Sequence, residues 1–152
     1  MSCENPTTGC AVVEKAPVTF RIPGQAAPQG SKRAIRLRNG RVALVESSAK
    51  VKPFRAVAAL CATQAWRQPP TQGVVALEVA FRFVRPKSHT KADGSLRAGA
   101  PLAPGKPDID KLLRALLDAM TGVVYVDDSQ VACIWATKEY GAQAETVVSV
   151  VI

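Results

Sequence analysis

Apolar and polar residues alternate along several short segments of the chain, and this pattern predicts β-strands. The clearest segment covers residues 74–84, where Val75, Leu77, Val79, Phe81 and Phe83 fall on one face. Asn39-Gly40 is a typical hairpin turn, so the residues after it are expected to form a returning strand. The predicted strands cover residues 18–22, 41–46, 74–84, 123–125, 130–140 and 145–152.

Two segments have helical periodicity instead. The first covers residues 50–66 and stops before Pro69, and the second covers residues 108–120 with one continuous apolar stripe. Together the elements predict an α+β fold, a single-domain mixed β-sheet with two main helices packed on it, in the order β-β-α-β-α-β-β when the short strand 123–125 is not counted. We expect residues 1–16 to form a flexible N-terminal tail and residues 17–152 to form the domain.

Composition narrows the classes of function. The 152 residues include one histidine and four cysteines without metal-binding spacing, so a zinc site is not expected. We also expect no small-molecule cofactor. Since no segment resembles a membrane span or a secretory signal, we expect a cytoplasmic protein without a membrane partner. Trp66 and Trp135 are expected in the core. The net charge of +8 favours an anionic partner, of which nucleic acid is the commonest.

The basic residues are concentrated in segments that are suited to DNA phosphates. One segment surrounds the hairpin turn and another begins the first helix. The DNA-binding candidates are Lys32, Arg33, Arg36, Arg38, Arg41, Lys50, Lys52 and Arg55. A further basic segment, the long loop of residues 85–107, ends at an acidic motif, and loops of this length are usually functional or disordered. As a group, these residues predict DNA binding that weakens steeply with salt.

The acidic motif begins with Asp108 and Asp110 at the start of the second helix. In a purely structural interpretation Asp108 caps the helix, Asp110 favours its dipole, and Arg114 pairs with acidic residues one turn away. A second pair, Asp127-Asp128, follows the next strand, and we expect Asp128 to return beside the N-terminus of the helix. Carboxylates gathered there would repel one another without a cation. Oxygen ligands without His or Cys favour Mg²⁺, with Mn²⁺ as a substitute.

The stretch KPDIDKLLRALLDAMTGVVYVDDSQV, residues 106–131, resembles the RusA family of Holliday junction resolvases, which are common in prophages. The resemblance implies a Mg²⁺-dependent endonuclease that works as a homodimer and resolves branched, four-way DNA junctions by paired symmetric nicks, in recombination and repair. It assigns metal binding to Asp108, Asp110 and Asp128, with Asp127 as an outer ligand or orienting group. Two equivalent sites in a two-fold dimer suit the symmetry of a junction.

Two positions depart from the family pattern. Lys111 stands where the family has Asn, and Arg114 stands where it has Lys. The family lysine is expected to stabilise charge on the phosphate or to assist proton transfer. Arginine can do the first, but it stays protonated and is poorly suited to the second. Lys111 is a candidate to compensate, so the catalytic candidates are Asp108, Asp110, Asp128, Arg114 and Lys111.

These departures leave two alternatives open. One is a protein that binds junction DNA with weak or no catalysis. The other is a metal-dependent phosphoryl-transfer enzyme that acts on small nucleotides, which would explain the aspartates but not the basic hairpin and loop.

Overall fold

Six strands and two α-helices make up the part of the chain that the structure, a computed structural model, describes: residues 16–30, 32–46 and 49–152. They are β1 Val18–Pro23, β2 Lys32–Arg36, β3 Val42–Glu46, α1 Val51–Trp66, β4 Val75–Val84, α2 Ile109–Met120, β5 Val131–Gly141 and β6 Glu145–Val151. Single 3-10 turns cover Lys87–His89 and Asp128–Gln130. The predicted tail of residues 1–16 lies outside the described residues except for Ala16, so its flexibility stays a prediction.

The central sheet has four strands in the order β1-β6-β4-β5. Strand β4 pairs in parallel with β5 and antiparallel with β6, and β1 pairs antiparallel with β6. The predicted α+β class and mixed sheet are therefore confirmed. Strands β2 and β3 form a separate two-stranded sheet, and the turn at Asn39-Gly40 joins them. Only the strand after this turn was predicted, so β2 is an additional strand. The order is thus β-β-β-α-β-α-β-β.

The core lies between one side of this sheet and the two helices. Strand β4 alternates as predicted, and its five inward side chains are all buried. Each helix contributes one apolar stripe: Val51, Phe54, Ala58, Ala62 and Trp66 from α1, and Leu112, Ala115, Leu116, Ala119 and Met120 from α2. Complete burial of a side chain such as Leu116 stabilises the fold by about 1.5–3 kcal/mol. The stripes therefore fix which polar face of each helix points outward.

Two predictions are wrong, one about a strand and one about a core residue. The predicted strand at residues 123–125 is a turn, in which the Gly122 N–H donates to the Tyr125 carbonyl at 2.7 Å and the Val124 N–H donates to Met120 at 2.9 Å. Trp66 is buried as expected, but Trp135 is 40% exposed. Trp135 pairs in register with the exposed Glu78, so it lies on the side of the sheet that α1 and α2 do not cover.

The long loop between β4 and α2 is held by contacts at both ends. The Arg85 guanidinium lies 4.0 Å from the centre of the Tyr140 ring and also donates to the Pro101 carbonyl at 2.7 Å. The imidazole of His89 meets the same Tyr140 ring edge-on.

Among the described residues, no helix is long and apolar enough to cross a membrane.

Candidate functional site

Asp108 takes the N-cap position of α2, but its side chain makes no capping hydrogen bond. Its carboxylate instead accepts a hydrogen bond of 2.6 Å from the Lys111 ammonium group. The hydrogen bond and the charge of Lys111 hold the pKa of Asp108 below its ordinary value, and the charges of Lys106 and Lys138 contribute less. In return, Asp108 raises the pKa of Lys111. The structural interpretation of Asp108 as a side-chain cap is thus wrong. Its carboxylate lies exposed among cationic groups.

Asp110 is exposed in the first turn of α2, two residues from Asp108. Arg114, one turn further on, is also exposed, and neither residue forms a hydrogen bond or ion pair within the described part of the chain. The pairs predicted for Arg114 are therefore not formed. Asp118 has other partners, because it accepts a hydrogen bond of 2.9 Å from the Gln29 amide and lies 3.6 Å from the Arg55 guanidinium.

Lys138 projects from the far end of β5 to the N-terminal end of α2. Its ammonium group donates to the carbonyl oxygens of Gly105, at 2.7 Å, and Pro107, at 2.8 Å. These bonds attach the last residues of the long loop to the sheet immediately before Asp108. Positive charge therefore surrounds the two aspartates, from Lys106, Lys111 and Lys138. A phosphodiester backbone needs such charge in order to approach carboxylates, because phosphate and carboxylate groups repel each other.

Asp127 has a structural role at the start of the 3-10 turn before β5. Its carboxylate accepts from the Ser129 N–H at 2.9 Å, while the Gln130 side chain accepts from the Asp127 N–H at 2.9 Å. Hydrogen bonding from Ser129, first from its side chain and then from its backbone N–H, lowers the pKa of Asp127. The reciprocal capping directs the carboxylate toward the backbone of its own turn. Gln130 also donates to the Thr71 and Gly73 carbonyls, so the turn is fixed beside the beginning of β4. The outer-ligand role of Asp127 stays a prediction.

Asp128 lies in the same 3-10 turn, on the exposed surface near Tyr125. The buried Tyr125 hydroxyl donates to the Leu117 carbonyl at 3.0 Å, in the last turns of α2. Burial is the main cause that raises the pKa of Tyr125, and the negative charge of Asp128 adds to it. Asp128 is therefore close to the C-terminal half of α2.

The expected return of Asp128 to the N-terminus of α2 is therefore wrong within one chain. Helix α2 runs antiparallel to β5, so that Asp108 lies beside Lys138 at the end of β5, whereas Asp128 precedes its beginning at Val131. The seven residue steps from Val131 to Lys138 extend over about 23 Å at the usual strand rise. The reason is geometric, since a strand that follows a helix through a short turn begins beside the end of that helix.

No three His, Cys, Asp or Glu side chains lie close enough to bind one metal ion within residues 16–30, 32–46 and 49–152. The three aspartates have the chemistry of a Mg²⁺ site, because all supply hard oxygen atoms. Their positions in a single chain do not fit one ion, since only Asp108 and Asp110 share a location. The assignment of Asp108, Asp110 and Asp128 to one metal site stays a prediction, and a single chain does not provide its geometry.

The predicted DNA-binding residues occupy two places. Arg36, Arg38 and Arg41 are exposed around the tip of the β2–β3 hairpin, while Lys50 and Lys52 are exposed at the start of α1. The strand positions of Lys32 and Arg33 are known, but their side chains lie outside the description. Arg55 differs from the others because it is half-buried and pairs with Asp118. Contact with DNA stays a prediction for the whole set.

Two residues at the site were not identified from sequence. Lys138 lies on the face of β5 that points toward the helices, in the same alternation as the apolar Ala136 and Tyr140. A charged residue at an inward-facing strand position was the sequence signal that could have identified it. Gln29 is 8% exposed and binds α2 twice, since its N–H donates to the Lys111 carbonyl at 3.0 Å besides the bond to Asp118. Gln29 lies in an irregular segment without periodicity, so no sequence signal distinguished it.

Comparisons with known proteins agree with this arrangement of motifs. The sequence model of the family described as Endodeoxyribonuclease RusA matches residues 23–151, which include both helices and the whole acidic motif. An uncharacterized protein of Bacillus subtilis (strain 168), YqaN, is 30% identical over 129 residues, which cover 83% of this chain and 89% of that protein. The resemblance noted in the sequence is thereby confirmed, and the chain belongs to the RusA endodeoxyribonuclease family.

Proposed function

We propose that this protein is a structure-selective endodeoxyribonuclease that cuts four-way DNA junctions by paired nicks, requires Mg²⁺ and acts as a homodimer. The observation that carries the proposal is the exposed pair Asp108 and Asp110, which lies among Lys106, Lys111 and Lys138 in the segment that matches the nuclease family. Carboxylates alone would repel a phosphodiester. The surrounding lysines offset that repulsion, so a DNA strand can approach this end of α2.

The basic hairpin supports a substrate larger than a nucleotide. Arg36, Arg38 and Arg41 are exposed on a two-stranded sheet separate from the sheet that carries Lys138. Their charges suit the arms of a DNA junction. The arrangement therefore favours junction DNA over small nucleotides.

The test is cleavage of an end-labelled four-way junction in Mg²⁺, in Mn²⁺ and in EDTA, with the nick positions mapped on each strand. Asp110→Asn should abolish nicking and leave junction binding largely intact. Glu78→Gln, which removes an exposed carboxylate on the opposite side of the sheet, should cut at the wild-type rate. Normal cutting by Asp110→Asn, or equal cutting in EDTA, would show that the proposed site is wrong.

A second candidate function is junction binding with little or no cleavage, and Arg114 is the observation that favours it. Its guanidinium is exposed on α2, and an arginine offers charge to a phosphate but is poorly suited to proton transfer. Under this alternative the wild-type protein binds junctions and does not cut them, whereas Arg114→Lys restores cleavage. Cleavage by the wild-type protein that Arg114→Lys leaves unchanged favours the nuclease.

A further inference from the structure

A cleft of about 450 Å³ lies at the end of the central sheet where the parallel strands β4 and β5 finish. Its lining includes the rings of Phe83 and Tyr140, which pair in register on these strands, and the small side chain of Ala144 just before β6. Both rings lie on the core side of the sheet. Helix α2 starts beside Lys138 and runs toward the opposite end of β5, so it does not cover this apolar end of the sheet.

The walls of the cleft come from the two ends of the long loop, residues 85–107. Pro86 lies at its start and Pro104 lies near its end, so two rigid rings add to the aromatic ones. The ammonium group of Lys138 holds the second wall in place through its bond of 2.7 Å to the Gly105 carbonyl. The cleft is therefore bounded by apolar surfaces that the fold has already positioned.

One polar group, the exposed side-chain amide of Gln25, borders the cleft. The preceding Gly24 N–H donates to the Ala144 carbonyl at 3.0 Å, which fixes this part of the chain beside the end of the sheet. Clefts of roughly 300–1,000 Å³ with a mainly apolar lining and a few polar groups are typical of small-molecule sites. The cleft therefore has the size and the composition of a site for a flat ring with a polar edge.

Lys106 connects the cleft to the aspartates. It lines the cleft, and it also lines the neighbouring depression that contains Asp108 and Lys111. On β5, Lys138 and Tyr140 are successive inward positions, about 7 Å apart at the usual strand rise. A DNA strand with a phosphate at Asp108 would therefore bring a neighbouring base within reach of the cleft.

These features select a nucleobase as the occupant. Aromatic side chains pack against the face of any base, and a side-chain amide can form hydrogen bonds with its edge. The charge of Lys106 suits the phosphate to which the base is attached. A base in an intact duplex must first leave its stack, and the free-energy cost of this step is lowest for a base that is already unpaired. The cleft is therefore better suited to DNA that is open at a branch point than to a continuous duplex.

We propose that this cleft binds an unpaired nucleobase next to the phosphate that is cut, with Phe83 and Tyr140 as apolar contacts and Gln25 as the group that reads the base edge. This inference rests on the proposed function, in which the phosphate lies at Asp108. It assigns part of the selectivity for branched DNA to the release of one base, and it assigns a base preference at the nick to Gln25.

Filling the cleft tests the proposal. Ala144→Leu places a larger side chain in the lining, whereas the matched control Ala142→Leu adds the same atoms at an exposed turn position outside the lining. Binding is measured by fluorescence anisotropy in EDTA, so that no strand is cut. The probes are a four-way junction and copies of it in which one nucleotide near the crossover at a time is replaced by an abasic site.

Wild-type protein should lose roughly tenfold in affinity when the abasic site falls at the position that enters the cleft, because the contacts of that base are lost. Ala144→Leu should bind the intact junction with that weaker affinity and lose nothing more with the abasic copy. Ala142→Leu should behave as the wild type does. Wild-type binding that no abasic site weakens, or a full abasic effect in Ala144→Leu, would overturn the proposal.

A second variant tests the base reading without changing the apolar lining. Junctions that carry each of the four bases at the sensitive position should differ in wild-type affinity by roughly tenfold, because a side-chain amide discriminates between base edges. Gln25→Ala should bind all four alike, while Gln64→Ala, which removes an exposed amide on α1, should keep the wild-type differences. Unchanged differences in Gln25→Ala would remove Gln25 from the base site.

The binding measurements separate this inference from the proposed nuclease activity. Wild-type protein that never cuts a junction in Mg²⁺, but shows an abasic effect that Ala144→Leu removes, would refute the nuclease and support the base site. Wild-type protein that cuts junctions without any abasic effect would refute the base site alone. Wild-type protein that binds no junction would contradict both.

Discussion

The ammonium group of Lys138 lies 2.8 Å from the carbonyl oxygen of Pro107, the residue before Asp108. With its second bond, to Gly105, Lys138 joins three parts of the molecule: the end of the long loop, the start of α2 and the edge strand β5. The position of Asp108 therefore depends on a side chain that lies 30 residues further along the chain. A positioning role for Lys138 follows.

Lys138→Met should lower the rate of junction cleavage by roughly tenfold or more, because the two carbonyl oxygens lose their donor and the loop end is no longer fixed. The same change should make the long loop more sensitive to trypsin at Lys91 and Arg97, which limited proteolysis with mass spectrometry would detect. Lys91→Met, which removes another exposed lysine of that loop, should keep the wild-type cleavage rate. Unchanged cleavage by Lys138→Met would mean that the loop end is held in place by other contacts.

Gln29 provides a prediction about stability. Its buried side chain donates to Asp118, and Gln29→Ala removes that bond from between the β1–β2 connection and α2. Loss of a buried hydrogen bond to a charged group should lower the free energy of unfolding by about 1–3 kcal/mol in urea titrations. Gln25→Ala, at an exposed position of the same connection, is the matched control and should leave the midpoint unchanged. Equal midpoints for the two variants would show that the Gln29 contact contributes nothing.

Sequence patterns were sufficient for the elements but not for their relative positions. The alternation in β4 and the stripe of α2 predicted real elements, because burial on one side imposes a period that is visible in the residues. The hairpin was visible through Asn39-Gly40, yet its first strand was not separated from the basic segment around it. Trp135 was misplaced because hydrophobicity predicts burial only for a face that some other element covers. The strand pattern did not show which face that was.

The candidate site shows the same limit more sharply. Asp108 and Asp110 are two residues apart, so helix geometry alone places them together. The position of Asp128 depends on the direction in which β5 leaves the preceding turn, and the motif contains no information about that direction. Lys138 joins the site through side-chain bonds to backbone carbonyls, and such bonds depend on tertiary structure rather than on spacing along the chain.

Glu145 gives a prediction for the effect of pH on stability. Its side chain is only 7% exposed, and its carboxylate lies 2.9 Å from both the Arg82 and the Arg21 guanidinium groups. Arg82 is the main cause that lowers the pKa of Glu145, Arg21 adds to it, and burial opposes both. Because the folded pKa is below the ordinary value of 4.5, this contribution to stability is present above about pH 4.5 and is lost as the pH falls through the lowered value.

Glu145→Gln should therefore lower the melting temperature at pH 7, and the difference from wild type should shrink as the pH falls below about 4.5. Thermal melts followed by circular dichroism between pH 3 and pH 7 would measure it. Glu78→Gln, on the same side of the sheet but exposed, should show no such trend. A difference that persists at pH 3 would mean that the carboxylate charge is not what stabilises the fold.

The exposed arginines at the tip of the β2–β3 hairpin lead to a prediction about DNA binding. If Arg36, Arg38 and Arg41 each contact a phosphate, the triple alanine variant should reduce the slope of log affinity against log salt concentration by about 3, because each contact contributes about 0.9. The triple lysine variant keeps the charges and should keep the slope. Cleavage of DNA already bound should be unchanged in both variants, since the hairpin is a separate sheet from the one that carries Lys138. Equal salt slopes for the alanine variant and the wild type would remove the hairpin from the DNA interface.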